Sequence, residues 1–141
     1  MARIQIDLPD TFQYSTEMDV LIQHINAANH LANEQLVALL NEARTRFFDS
    51  LTVPDHISHP RQFINADLAV IYKAEARHRD RLRFDMAACD FNRYGCDIVY
   101  RVSRVQDQDI IAIAKTAMLN FDYQQGRLQA ADDQLPGLFA R

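Results

Sequence analysis

Residues 14–48 decide the fold of this chain, and they read YSTEMDVLIQHINAANHLANEQLVALLNEARTRFF. A strand is predicted over residues 14–23, a polar segment with two histidines and several asparagines follows it, and a long amphipathic helix comes next. The first backbone N–H groups of a helix lack intrahelical acceptors, so they can stabilise a negative charge that develops on a bound ligand. We therefore expect a functional site where the polar segment meets the helix.

The helix is predicted over residues 33–51, because its apolar residues recur at steps of three and four and form one broad stripe. The stripe contains Leu36, Leu40, Ala43, Phe47 and Leu51. Asn33 is the expected N-cap, and Glu34 stands in the first turn, where a negative charge is favourable.

After Pro60 the hydrophobic pattern alternates from one residue to the next, which is typical of strands. Four strands are predicted around residues 67–72, 82–87, 98–103 and 111–121, joined by short turns that favour antiparallel neighbours. One long helix against one antiparallel sheet is an α+β fold, and we expect residues 1–141 to form a single domain. The last strand is apolar on both faces at several positions, which favours partial burial in an oligomer.

Composition and charge argue against several functional classes. The net charge of −4 and the pI of ≈ 5.6 disfavour a nucleic-acid binder, which usually has a basic excess. Local arginines still offer places for a phosphate, namely Arg77, Arg79, Arg81 and Arg83. There is no run of about 18 apolar residues, so no membrane span is expected, and the first residues lack the apolar region of a signal peptide.

The cysteine and histidine patterns predict neither a disulfide nor a metal site. Cys89 and Cys96 lie in separate strand-like runs without metal-type spacing, so we expect two reduced thiols in a cytoplasmic protein. His56 and His59 have the spacing of a weak metal pair, but no third ligand follows them. No cofactor is expected.

Residues 29–33 read NHLAN, and residues 39–44 read LLNEAR. Both runs resemble the hotdog-fold acyl-CoA thioesterase superfamily, in its 4-hydroxybenzoyl-CoA thioesterase-like branch. Members carry a His-Val-Asn-Asn-like motif before the central helix and a Glu-Ala-Arg-like motif twelve residues after its histidine, which is the spacing between His30 and Glu42. Later parts of the chain follow the family in the same order, namely the runs 71–74, 114–116 and 121–122 together with Asp80. The resemblance therefore covers about residues 16–128.

The resemblance implies a long central helix wrapped by a five- to six-stranded antiparallel sheet. It also implies self-association, as a homodimer or a dimer of dimers. The implied reaction is the hydrolysis of an acyl-CoA substrate to free acid and CoA, at a site in the dimer interface near the start of the central helix. The catalytic candidates at this site are His24, Asn26, His30 and Glu42.

Five further residues are candidates for ligand binding. The backbone N–H groups of Leu31 and Ala32 would polarise the thioester carbonyl if the helix starts there, and such a donor typically contributes about 3 kcal/mol. In the family, the residue at the position of Asn33 lies beside the ligand. Arg93 and Lys115 are expected to hold the phosphates of CoA.

The alignment with the family leaves two roles open. When the histidine of the family motif is aligned with His30, the upstream Asp-x-Asp of the family falls on His24 and Asn26. The amide of Asn26 is neither a nucleophile nor a general base. Asn26 would instead donate a hydrogen bond or orient a water, and His24 is a candidate base because an imidazole can take up a proton. A second register begins the motif at His24, eighteen residues before Glu42. The alternative function is a non-catalytic module that binds acyl-CoA.

Overall fold

The computed structural model describes residues 2–140. Strand β1, Tyr14–Asp19, is followed by a 3-10 turn, Ile22–His24, and by the long helix α1, Asn33–Asp49. A second 3-10 turn, Pro60–Gln62, leads into the strands β2 (Ile64–Tyr72), β3 (Arg81–Cys89), β4 (Gly95–Arg104) and β5 (Ile110–Leu119). Beyond them lie β6 (Phe121–Asp122), β7 (Arg127–Leu128) and the short helix α2 (Leu135–Phe139). None of the helices within residues 2–140 combines the length and the hydrophobicity that a membrane-spanning segment needs.

Strands β1 to β5 form one antiparallel sheet in the order β1-β3-β4-β5-β2, which confirms the α+β prediction. One predicted pair of neighbours is wrong, because β2 lies at the far edge beside β5 and not beside β3. Residues 73–80, here called the crossing segment, connect the two. Lys73 N donates to Ile111 O at one side of the sheet, and Arg79 N donates to Val20 O at the other, both at 2.9 Å. The segment therefore spans the end of the sheet.

Helix α1 lies against the inner face of the sheet, and its apolar stripe forms the centre of the core. The buried residues of the stripe are Leu36, Leu39, Leu40, Ala43, Phe47 and Phe48. They belong to one cluster with the inward residues of β3 and β4, which are Leu82, Phe84, Met86, Ile98, Tyr100 and Val102. Burial of one large apolar side chain stabilises a fold by about 1.5–3 kcal/mol, so this interface is the main source of stability.

Two predicted boundaries before α1 differ from the structure. The strand predicted over residues 14–23 ends at Asp19, because Leu21 N donates to His24 Nδ1 at 2.9 Å and the chain turns there. The N-cap of α1 is Ala32 and not Asn33, which is the first helical residue. Ala32 has extended backbone angles, and its N–H is bonded to His24 O outside the helix, so the helix begins one residue later.

The two cysteines lie on opposite faces of the sheet. Cys89 is the ladder partner of Asp97, so the adjacent Cys96 points to the other face and into the core. Both thiols are unbonded. Burial raises the pKa of Cys89 to about 11 and the pKa of Cys96 to about 12, which leaves both thiols protonated at neutral pH.

The short helix α2 closes the core at the carboxyl end of α1. Phe139 is 1% exposed, and its ring centroid lies 5.4 Å from that of Phe47 and 6.1 Å from that of Phe48, both edge-on. Phe91, from the turn between β3 and β4, lies 6.0 Å from the same ring. Aromatic rings from three separate parts of the chain therefore meet at this end.

Replacement of Phe139 tests this closure. Phe139→Ala removes a buried ring and leaves a cavity, so we expect a loss of about 3–4 kcal/mol in the free energy of unfolding. Tyr123→Ala is the control, because Tyr123 is 70% exposed. Its loss is expected to cost less than about 1 kcal/mol. Denaturant titration followed by circular dichroism measures both variants, and equal losses would contradict the assigned role of Phe139.

Candidate functional site

The polar segment before α1 folds into a tight loop over residues 24–32. Asn26 N donates to His30 O, and Ala32 N donates to His24 O, both at 2.9 Å. Asn29 at the tip has a φ of 65°, a left-handed conformation that asparagine tolerates better than most residues. These bonds bring the candidates His24, Asn26 and His30 together in one loop, directly before the first turn of α1.

The side chain of Asn26 holds this loop together. Its Oδ1 accepts from the backbone N–H groups of Ala28 at 3.0 Å and His30 at 3.2 Å, which is the arrangement of an Asx turn. Within the described chain, the side-chain Nδ2 of Asn26 donates to no protein acceptor, so it is able to donate to a ligand or a water. The oxygen of Asn26 therefore holds the loop, and its neutral amide is neither a nucleophile nor a general base.

His24 caps the 3-10 turn. Its Nδ1 accepts from Leu21 N at 2.9 Å, so the neutral ring carries its proton on Nε2. A general base needs a free lone pair, and this hydrogen bond occupies the one that His24 has. The geometry disagrees with the prediction that His24 is a base, and it leaves Nε2–H as a donor.

His30 forms a pair with a residue that the sequence analysis missed. Its Nε2 lies 3.1 Å from Oε2 of Glu75, in the crossing segment. The His30 side chain is 27% exposed and that of Glu75 is 66% exposed, so the pair lies at the surface of the site. Nδ1 of His30 has no partner among residues 2–140, so its lone pair is open to a proton acceptor role when the neutral ring carries its proton on Nε2. The only sequence signal for Glu75 was its place directly after the run 71–74.

The backbone donors at the start of α1 differ from those predicted. Leu31 N donates to Ala76 O at 2.7 Å, and Ala32 N donates to His24 O, so neither amide is free to polarise a ligand. The next two amides belong to Asn33 and Glu34, and for them no acceptor lies among residues 2–140. The candidate oxyanion donors are therefore two residues further along the chain, at the positive end of the helix dipole.

The structure does not bring Glu42 to this loop. Glu42 lies nine residues after Asn33, a rise of about 14 Å along the helix. Its carboxylate accepts from Arg46 Nε at 2.9 Å, and Arg46 also donates to Thr16 Oγ1 at 2.8 Å on β1. Glu42 therefore belongs to a surface ion pair that joins α1 to β1. The spacing that suggested a catalytic role places it on another part of the helix.

Two arginines of the crossing segment lie near the loop and have no ion-pair partner among the described residues. They are Arg77 and Arg79, and both are exposed. Arg81 is bound by Glu17 at 2.8 Å and Asp19 at 3.0 Å. Arg83 is bound to Asp85 at 2.9 Å. Of the four arginines that the sequence offered for a phosphate, only the first two remain available.

The predicted phosphate ligands Arg93 and Lys115 lie elsewhere. Arg93 follows β3, whose nine residues extend about 30 Å from the crossing segment, and its guanidinium lies 5.4 Å from the Tyr94 ring centroid. Lys115 is on the outer face of the sheet, where its Nζ lies 2.7 Å from Asp67 and 3.6 Å from Asp97. The hydrogen bond to Asp67 raises the pKa of Lys115. Neither cation is brought to the start of α1.

No group of three or more His, Cys, Asp or Glu side chains within residues 2–140 is placed to hold a metal ion. Of the two histidines with metal-pair spacing, His59 uses its Nδ1 to accept from Arg61 N at 3.2 Å and caps the turn Pro60–Gln62. Burial lowers the pKa of His59, so the neutral ring is favoured in this role.

Residues 20–136 match the family profile described as Thioesterase-like superfamily. No curated protein matches the chain significantly. The matched range contains the loop before α1, the helix itself and the strands β2 to β5.

Solved structures of thioesterases share the fold. One is a thioesterase from Thermus thermophilus complexed with coenzyme A and Zn, with a TM-score of 0.79 and 16% identity over 92% of this chain and 99% of that chain. Another is a 1,4-dihydroxy-2-naphthoyl-CoA thioesterase from Synechocystis, with a TM-score of 0.77 and 14% identity over 89% and 94%. A third is the probable thioesterase YbaW from Escherichia coli, with a TM-score of 0.75 and 16% identity over 87% of this chain and 93% of that chain. The predicted hotdog fold is confirmed.

Proposed function

The chain belongs to the thioesterase-like superfamily, and we propose that it hydrolyses an acyl-CoA thioester to the free acid and CoA. The observation that carries this proposal is the pair formed by His30 Nε2 and Glu75 Oε2, 3.1 Å apart beside the first turn of α1. The solved neighbours support the substrate class, because one acts on a CoA thioester and another holds coenzyme A.

In the proposed reaction, a water attacks the thioester carbonyl carbon while His30 Nδ1 takes up the proton that the water loses. The negative charge on the carbonyl oxygen is stabilised by the N–H groups of Asn33 and Glu34, at about 3 kcal/mol for a typical donor. When the C–S bond breaks, the imidazolium gives its proton to the leaving thiolate of CoA. The Glu75 carboxylate stabilises the imidazolium between these two proton transfers.

Asn26 supports a second candidate function. It stands where part of the family has a catalytic carboxylate, and a site without that charge is suited to a module that binds acyl-CoA and does not cleave it. In the proposed hydrolase, Glu75 supplies the negative charge that Asn26 lacks. The two functions differ in one readout, the release of the free CoA thiol.

Substitution of the histidine–glutamate pair tests the proposal. Glu75→Gln keeps the shape of the side chain but removes its charge, and His30→Gln removes the base, so we expect kcat to fall by about 10²–10³ in each variant. Asp49→Asn is the matched control, since Asp49 is an ion-paired carboxylate at the other end of α1. The assay measures thiol release from acetyl-, hexanoyl- and benzoyl-CoA.

An unchanged kcat in His30→Gln would contradict the catalytic role of the pair. A wild-type protein that binds these thioesters in calorimetry, yet releases no thiol above background, would establish the binding module instead.

We further propose that Arg77 and Arg79 bind the phosphates of CoA. Both are exposed and lack ion-pair partners within the described chain, and they follow Ala76, whose carbonyl oxygen is bonded to Leu31 at the start of α1. A guanidinium presents several donors to a phosphate in a planar fork, which suits it to this role. The reactive thioester and the phosphates would then be held by adjacent parts of one segment.

A substrate without phosphates separates this role from catalysis. For the variant in which Arg77 and Arg79 are both alanine, we expect KM for acyl-CoA to rise about tenfold, or about 1.4 kcal/mol. KM for the N-acetylcysteamine thioester of the same acyl group should not change, because that thioester carries no phosphate. Arg93→Ala is measured in parallel. A rise in KM with Arg93→Ala, and none with the double variant, would place the phosphates at the opposite end of the sheet.

We propose that two copies of the chain pair along β2. This strand is nine residues long and bonds only to β5, so its other edge offers unpaired N–H and C=O groups, which is a template for a further strand. On its inner face, Leu68 is 41% exposed and Tyr72 is 50% exposed. Because β2 runs directly into the crossing segment, a partner at this edge would lie beside the start of α1.

A charge on the inner face of β2 tests the pairing. Light scattering should give at least twice the chain mass of 16.3 kDa for the wild type, and half the wild-type value for Leu68→Asp, because a carboxylate cannot be buried there without a partner. Leu128→Asp is the control, since Leu128 is 39% exposed on β7. A wild-type protein that is monomeric at micromolar concentration would contradict the pairing.

The cytoplasm is the proposed place of this activity. Cys89 and Cys96 are both unbonded, and free thiols of this kind are usual in a reducing compartment.

A further inference from the structure

We propose that Arg104, the last residue of β4, is a positioning residue that holds the crossing segment in place and so sets Glu75 against His30. The inference rests on the proposed function, because the histidine–glutamate pair matters for catalysis only if the site is a hydrolase. Arg104 itself makes no contact with His30 among the contacts of the described chain, so it acts through the backbone that carries Glu75.

The guanidinium of Arg104 bonds to two residues of the crossing segment, Glu75 and Asp80. One amino group donates to the backbone carbonyl oxygen of Glu75. The Nε atom lies 3.0 Å from Oδ2 of Asp80. The Arg104 side chain is only 17% exposed, so these bonds are largely shielded from water and are stronger than those of a surface pair.

Asp80 forms further hydrogen bonds that fix the crossing segment. Its Oδ2 also accepts from Arg77 N at 2.9 Å, which closes the turn over residues 77–80. Its backbone oxygen accepts from Val20 N at 2.8 Å, which ties the turn to the end of β1. Ala76 O is bonded to Leu31 N on one side of Glu75, and Ala74 N donates to Ile111 O at 3.2 Å on the other. Arg104 supplies the bond to the backbone of Glu75 itself.

Arg104 is in turn held in one orientation. Its other amino group lies 2.8 Å from Asp107 and 3.5 Å from Asp109, both in the turn between β4 and β5. The backbone of Arg104 donates to Asp109 O at 2.8 Å. The hydrogen bond to Asp107 is the largest cause that raises the pKa of Arg104. Four acceptors around one planar group require the fork of an arginine, and a lysine cannot reach all of them.

Glu75 depends on this arrangement because its own side chain is not buried. At 66% exposure, the Glu75 side chain has little packing that would keep its carboxylate beside His30. Release of its backbone carbonyl would let the carboxylate move away, and a displacement of about 1 Å at a catalytic group can cost up to a hundredfold in rate. Arg104 therefore restricts the position of Glu75, which packing alone does not.

A double-mutant cycle tests the inference. We expect Arg104→Gln to lower kcat about tenfold to a hundredfold, with KM for the N-acetylcysteamine thioester unchanged. Because both changes act on the same pair, the variant that combines Arg104→Gln with Glu75→Gln should be no slower than Glu75→Gln alone. Arg104→Lys, which keeps the charge but not the fork, should recover only part of the loss. Arg61→Gln is the control, since Arg61 pairs with Asp49 far from the site.

Nitrogen NMR of the His30 ring gives a second readout that does not need turnover. The ring ¹⁵N signals should move in the same direction in Arg104→Gln and Glu75→Gln, and they should not move in Arg61→Gln. Circular dichroism verifies that each variant is folded, and Arg104→Lys serves in place of Arg104→Gln if the latter is not.

The inference is overturned by a kcat within about twofold of wild type in Arg104→Gln, or by losses that multiply in the combined variant. Failure of the proposed function looks different, because the wild type would then release no thiol from any of the acyl-CoA probes. In that case the NMR experiment still decides whether Arg104 sets the position of Glu75. Unmoved His30 signals in Arg104→Gln would overturn it.

Discussion

The structure of the candidate site depends on one hydrogen bond, from Leu31 N to Ala76 O at 2.7 Å. Ala76 is 2% exposed, so its carbonyl oxygen cannot turn to water, and an unmade bond there would cost about 1–3 kcal/mol. This bond docks the crossing segment on the start of α1. It brings Glu75 to His30, and it also occupies the Leu31 donor, so the free amides are those of the first helical turn.

The arginines of the crossing segment differ from those on the outer face of the sheet in their ion pairing. On the outer face of the sheet, arginines are neutralised by carboxylates: Asp85, whose side chain is 7% exposed, holds both Arg83 and Arg101. Arg77 and Arg79 have no such partner within residues 2–140. Although the chain has a net charge of −4, the segment that docks on the positive end of α1 therefore carries two cations without ion-pair partners.

The sequence predicted those parts of the fold that depend on local periodicity. The stripe of Leu36, Leu40, Ala43 and Phe47 predicted α1, and alternation predicted the four long strands. The pairing of β2 with β5 was not predictable in this way, since its first contact joins Ile64 to Leu119, far apart in the chain. A short connection did not make β2 and β3 neighbours, because residues 73–80 carry the chain across the end of the sheet.

The grouping of the polar candidates before α1 was predicted from the sequence, but their hydrogen-bond partners were not. His24, Asn26 and His30 do lie together before α1, because they are close in sequence. Their roles depend on which lone pairs and N–H groups are already bonded, and no residue pattern reveals that. Leu31 and Ala32 lost their predicted role to bonds with Ala76 and His24. Glu75 and Arg104 were missed, because a long loop and a distant strand bring them to the site.

The most direct measurement is a crystal structure with a dethia acyl-CoA analogue, in which a methylene group replaces the thioester sulfur. We expect the carbonyl oxygen to lie about 2.7–3.1 Å from the backbone nitrogen of Asn33 or Glu34, with a water between the carbonyl carbon and His30 Nδ1. An acyl group bound on the outer face of the sheet, or a carbonyl that no backbone N–H at the start of α1 reaches, would contradict it.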